Sequence, residues 1–189
     1  SGETEWAAGH VLVEVAGRKI LTSLTPDLAA AFGDLVRLGK DCSPIEAGLE
    51  AAWTALKEPL VSDPLRNGGF LREDASLYLI VVSDEPDQSR GPVDFYLDFF
   101  ATIKGSLSHS QMTISAICAD QPPEGRYAYA VAQSGGIFES IQLVDWNQAL
   151  WGLGLDTFSA LREFPLSRPA DPSSLVVTLD GSPVPEASS

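Results

Sequence analysis

Four oxygen-bearing side chains, Ser83, Asp84, Glu85 and Asp87, follow an apolar run in the stretch LYLIVVSDEPDQS, Leu77 to Ser89. Carboxylate and hydroxyl oxygens are hard donors that suit Mg²⁺, Mn²⁺ or Ca²⁺, and a loop anchored on a rigid buried strand can present them to a cation or through a water. In open α/β sheets such strand ends are where ligands bind. The plainer reading is that Ser83 and Asp84 cap the following turn, with Pro86 shaping it, because these residue types favour turns and caps intrinsically.

Other chemistries find less support. His10 and His109 stand in polar contexts without metal-ligand spacing, and Cys42 and Cys118 alone cannot make a four-ligand zinc site. No Ser has the Gly-x-Ser-x-Gly setting of a nucleophile elbow. QSGGIF resembles a phosphate loop, yet its pattern places it after a helix and before a strand, the reverse of the order phosphate binding needs. A Mg²⁺-dependent hydrolase or phosphotransferase using Asp84 or Asp87 is a weaker rival reading, since it has no nearby basic partner other than Arg90 and no second acidic motif at the next strand end beyond Asp120. The net charge of −14 over 189 residues makes a phosphate backbone a poor partner, so nucleic acid is not expected. No apolar run reaches the roughly 18 to 20 residues that span a bilayer, and no transmembrane segment is expected.

The elements that must carry the oxygen cluster are legible from periodicity. LYLIVV is apolar without alternation, the pattern of a strand covered on both faces. PVDFYLDFFATIKG predicts a helix ending at Gly105, MTISAICAD a second buried strand, GRYAYAVAQSGG a helix stopped by Gly135 and Gly136, IFESIQL a third strand, and WNQALWGLGLDTFSALREF a last helix. Strands separated by helices imply βαβ crossovers and parallel pairing. The expected fold class is therefore α/β: an open, mostly parallel, Rossmann-like sheet with helices on both faces.

Upstream, HVLVEVAGRKILTS reads as two short strands or a hairpin. TPDLAAAFGDLVRLG predicts a helix with Pro26 near its first position, a core stripe of Leu28, Phe32, Leu35 and Val36, and a stop at Gly39. SPIEAGLEAAWTALKEPL predicts another, with Ser43 as cap, Pro44 at N1 and Glu46 at N3 in a capping box, and with Ile45, Leu49, Ala52, Trp53 and Leu56 toward the core. Past Phe164 a Pro- and Ser-rich linker leads to LVVTLDGSPVPE, a strand followed by the Asp180-Gly181 turn signal and so a short C-terminal β segment.

The series DCSPIEAGLEAAWTAL, GFLREDASLYLIVVSDEPDQS, VDFYLDFFATIKG, ISAICAD, RYAYAVAQSGGIFESI and VDWNQAL resembles the later part of a von Willebrand factor A domain of the bacterial cell-surface and lipoprotein type. The resemblance covers about Thr22 to Phe164. It implies a metal-ion-dependent adhesion site made by an Asp-x-Ser-x-Ser motif, a hydroxyl before a helix, and an Asp after a central strand. Asp84 then takes the third position and Ser43 the second, with Glu85 and Asp87 on the rim. Neither the Asp-x-Ser-x-Ser motif nor its strand occurs in this chain.

A sheet beginning at LYLIVV would leave a long edge open. The expectation is accordingly a domain over 1–166, incomplete at its N-terminal side, with 167–189 forming the linker and the start of a hairpin or small β module. A segment upstream of Ser1, or another polypeptide, is expected to complete the sheet; the alternative is a metal-free structural domain whose HVLVEVAGRKILTS hairpin covers that edge. The function implied is protein binding, not catalysis, with Mg²⁺ or Ca²⁺ conditional on the completing strand, at an extracellular or cell-surface location in a bacterium. On this resemblance Cys42 and Cys118 fall at one edge of the sheet, where a disulfide is one reading. A buried unpaired Cys118 beside an incidental Cys42 is the other.

Overall fold

A computed structural model describes residues 19–37, 45–73, 75–105, 111–119, 125–142, 145–159, 171, 176, 178–179 and 182–183. Three strands, β1 (Leu77–Ser83), β2 (Met112–Cys118) and β3 (Phe138–Ser140), form one sheet in the order β1-β2-β3. Both pairings are parallel. β1 and β2 match over seven residues, from Leu77 opposite Met112 to Ser83 opposite Cys118, and β3 joins at Ala116 opposite Phe138. Helix α3 (Val93–Ile103) connects β1 to β2, and α4 (Arg126–Ser134) connects β2 to β3. The fold is α/β, as the alternation of apolar runs and amphipathic segments requires.

Period-two geometry sorts the strand residues into two faces. Leu79 and Val81 of β1, with Met112, Ile114, Ala116 and Cys118 of β2, meet a core supplied by α2 (Gly48–Leu56), α3 and α4. Its largest members, Tyr96, Phe100 and Tyr127, are completely or almost completely buried. On the other face Tyr78 and Ser115 share a 2.7 Å hydrogen bond between hydroxyls. Farther along that face Ile80 is 50% and Val82 58% exposed. The apolar run thus predicts burial on both faces, whereas β1 is covered on one; β2, whose Ser115 and Ile117 are buried, fits the expectation.

The stops at Gly105 and Gly135 act as the sequence predicts. Gly135 caps α4 in the left-handed region at φ 75°, open to glycine at no steric cost. Gly136 has a different reason to be glycine: a Cβ there would stand 2.0 Å from the Ile114 carbonyl oxygen. The chain must graze β2 at that point before Ile137 turns into β3, and no larger residue allows it.

Four upstream expectations are corrected. Helix α1 (Leu28–Leu35) forms with Asp27 as its N-cap, so Pro26 precedes the cap rather than standing at the first helical position. None of its residues is buried, and Leu28, Phe32 and Val36 are exposed, because spacing defines a stripe without supplying a surface to cover it. Helix α2 starts at Gly48 with Ala47 at the cap, so Glu46 precedes the helix instead of sitting at N3. The expected strand over Lys19–Ser23 is irregular chain, held where Lys19 Nζ donates to the carbonyls of Leu65 and Arg66 at 3.0 and 3.2 Å. The remainder of that hairpin, and Gly39, lie outside the described residues.

Helix α5 (Trp146–Ser159) buries Ala149 and Leu153 and passes beside Ile137, while Leu150, Trp151 and Leu155 stay exposed. Strands β4 (Thr178–Leu179) and β5 (Ser182–Pro183) pair antiparallel as the tail predicts; the Asp180-Gly181 turn itself lies outside the described residues. No described helix is long and apolar enough to cross a membrane.

Candidate functional site at the carboxyl edge of the sheet

The strands end in step. The backbone ladder continues past them, with Ala119 N donating to Ser83 O and Ile141 N to Cys118 O, each at 3.2 Å. This sets the loop after β1 on a rigid base. Ser83 is buried and turns its hydroxyl back on that loop, donating to Glu85 O at 2.9 Å and accepting from Glu85 N at 3.3 Å. Its role is the turn-capping one, since one hydroxyl here satisfies both groups of the second residue on. Asp84 and Glu85 are exposed beyond it, Glu85 meeting the Gln88 amide at 3.4 Å.

Asp87 has an altogether different environment. It is 4% exposed, and its carboxylate sits over the first turn of α2. One oxygen accepts from Leu49 N at 3.4 Å and from the Ser89 hydroxyl at 2.7 Å; the other accepts from Arg126 Nε at 2.9 Å. The Tyr127 hydroxyl is a further hydrogen-bond partner. Ser89 in turn accepts from Glu50 N at 2.9 Å, and Tyr127 from Gly48 N at 3.1 Å. The three orphan amides at the start of α2 are thus capped by residues from two other elements, which explains how Ala47 can stand at a cap position without a capping side chain. A negative charge at a helix N-terminus and an ion pair to Arg126 together offset the cost of burying the carboxylate.

The clamp extends along the loop. Arg126 Nη2 donates to Gly91 O at 2.7 Å, Glu50 accepts from Arg90 N at 2.9 Å, Gly91 N donates to the Tyr96 hydroxyl at 3.0 Å, and Gln88 N to Glu46 O at 2.6 Å. Gly48 is required where it stands, because a Cβ would lie 2.6 Å from the Tyr127 hydroxyl oxygen. Burial, with the Asp87 charge second, pushes the Tyr127 hydroxyl well above its ordinary value of 10.0. Burial also raises Tyr96, against the Gly91 amide, which lowers it.

Of the residues singled out from sequence, Asp84, Glu85 and Asp87 are brought to one loop at the carboxyl edge, two facing solvent and one facing inward. Cys118 is buried at the end of β2 in the core. Ser43, Cys42, Asp120, His10 and His109 lie outside the described residues. Asp84 and Glu85 offer the hard oxygens that Mg²⁺ or Ca²⁺ takes, whereas the Asp87 carboxylate is occupied by four donors. Among the described residues no group of three or more His, Cys, Asp or Glu side chains could hold a metal ion.

Sequence reasoning overlooked Arg126, Tyr127 and Ser89. A signal existed for the first: an arginine at the first position of a helix opposes the macrodipole and implies an acidic partner. At the opposite end of β1 an open cleft of about 710 Å³ is lined by Ile20, Leu28, Phe70, Arg72 and Tyr78 among others. No family model, no curated protein and no solved structure matches this chain.

Proposed function

We propose that this chain is a protein-binding, adhesion-type module of the von Willebrand factor A kind, acting at a bacterial cell surface. The observation that carries the reading is the position of Asp84: exposed, on an anchored loop, at the carboxyl end of a strand whose far edge pairs with no described strand and whose outer face leaves Ile80 and Val82 open. A regular seven-residue edge without Lys, Pro or a bulge is a template for one more strand. The completing strand comes from an upstream segment or from another polypeptide, and brings the Asp-x-Ser-x-Ser oxygens with it.

In that arrangement Asp84 and Ser43 face the cation, Glu85 lines the rim, and Asp87 shapes the rim from within by holding the loop to α2. Mg²⁺ or Ca²⁺ would supply an open coordination position to a partner carboxylate. The shortage of converging acids among the described residues favours a second reading, a structural domain of a surface assembly whose site is metal-free.

Native mass spectrometry of the purified protein, with any polypeptide that accompanies it, separates the two. The adhesion reading expects one divalent ion that leaves on chelation and is absent from Asp84→Ala. Metal-free masses, each equal to its own polypeptide, for both proteins at millimolar Mg²⁺ and Ca²⁺ would leave the scaffold reading standing.

A further inference from the structure

The polar network beneath Asp84 does more than bury a charge. Its bonds run between the loop 84–91 and the first turn of α2, with Arg126 and Tyr127 of α4 closing it from a third side. Every backbone amide at the start of α2, Gly48, Leu49 and Glu50, ends on a side chain from outside the helix. In return Gln88 and Arg90 of the loop donate their amides to Glu46 and Glu50, at the α2 end of the network. The bonding is reciprocal, and Asp87 is its centre: it alone touches Leu49, Ser89, Arg126 and Tyr127.

We infer that Asp87, with Arg126, is a positioning residue that makes the Asp84 loop and the N-terminal turn of α2 move as one body. The loop carries Asp84, so the clamp would hold that carboxylate of the proposed cation site in place. That consequence rests on the adhesion-site reading; the rigid coupling of loop and helix does not. Arg126 acts through Asp87 and through Gly91 O, and so ties the middle and the far end of the loop to α4.

The test is backbone hydrogen exchange on the full chain, read together with Mn²⁺ affinity, for wild type, Asp87→Asn and the core variant Val131→Ala. Losing charge-assisted bonds at a buried centre should speed exchange about tenfold or more at Leu49, Glu50, Gln88, Arg90 and Gly91 together, and weaken Mn²⁺ by about tenfold. Val131→Ala trims apolar packing in the core without removing any bond of the clamp and should leave that set of amides and the Mn²⁺ affinity as in wild type. Acceleration at Leu49 alone, or equal effects of the two substitutions, overturns the coupling. If wild type binds no Mn²⁺, the cation reading falls and the exchange pattern alone decides the clamp. Should Asp87→Asn fail to fold, Arg126→Lys keeps the charge and loses the fork to Gly91 O; it should raise exchange at Gln88, Arg90 and Gly91, and a wild-type pattern there refutes the inference.

Discussion

Replacing Ile80 and Val82 by threonine tests whether the outer face of β1 is open. Threonine keeps the branched Cβ that a strand favours, so the change falls on apolar contact alone. Ile80 and Val82 are 50% and 58% exposed, so each hides only about half of its side chain within the chain. Full burial of such a side chain is worth about 1.5 to 3 kcal/mol, so half-burial of two is worth about that much together, and threonine still covers part of the area, which leaves about 1 to 1.5 kcal/mol for the pair. The contrast is Ile114→Thr on the opposite face, where the side chain is wholly buried. It removes packed carbon and strands a hydroxyl in the core, at about 3 kcal/mol or more. Urea unfolding followed by circular dichroism at micromolar protein measures both. A cost for the double variant that matches Ile114→Thr would mean the outer face is covered within the chain, and the reading of an open outer face would fail. Sedimentation at rising concentration adds a second readout: any association through this edge should weaken in the double variant.

Gly136→Ala should cost about 2 to 4 kcal/mol, since its Cβ meets the Ile114 carbonyl and relief requires moving the backbone that carries Ile137 onto β2; a loss below about 0.5 kcal/mol would refute that contact. The Tyr127 hydroxyl predicts an alkaline weakness. Its folded value is raised, so its contribution is complete below the unfolded value near 10 and is lost as pH climbs above that toward the folded value. Stability measured from pH 9 to 11 should fall more steeply for wild type than for Tyr127→Phe, which has no proton to lose there; equal slopes would count against the assignment.

Much of the architecture is local and was therefore readable from the chain itself. Apolar runs of strand length, helices spaced between them, and glycines at 105 and 135 are patterns a few residues long, and they settle the α/β order and its parallel pairing. Periodicity also marks an apolar stripe on α1, yet it carries no information about a covering surface, and there the expectation of a buried face failed. LYLIVV is apolar on both sides by composition; only the packing of the described helices, which cover its other face, leaves Ile80 and Val82 open. The oxygen cluster divides in the same way. Its place at a strand end followed from the apolar run before it, and the turn role of Ser83 from its bond to a residue two positions on. Asp87 could not be distinguished from Asp84 by any neighbour in sequence. It became the buried centre of the site because folding sets it against amides 38 residues back in α2 and against Arg126, 39 residues ahead in α4. Short-range steric and apolar patterns write the elements; the choice of which carboxylate faces water and which one holds the loop is made by partners that only tertiary packing brings within hydrogen-bond distance.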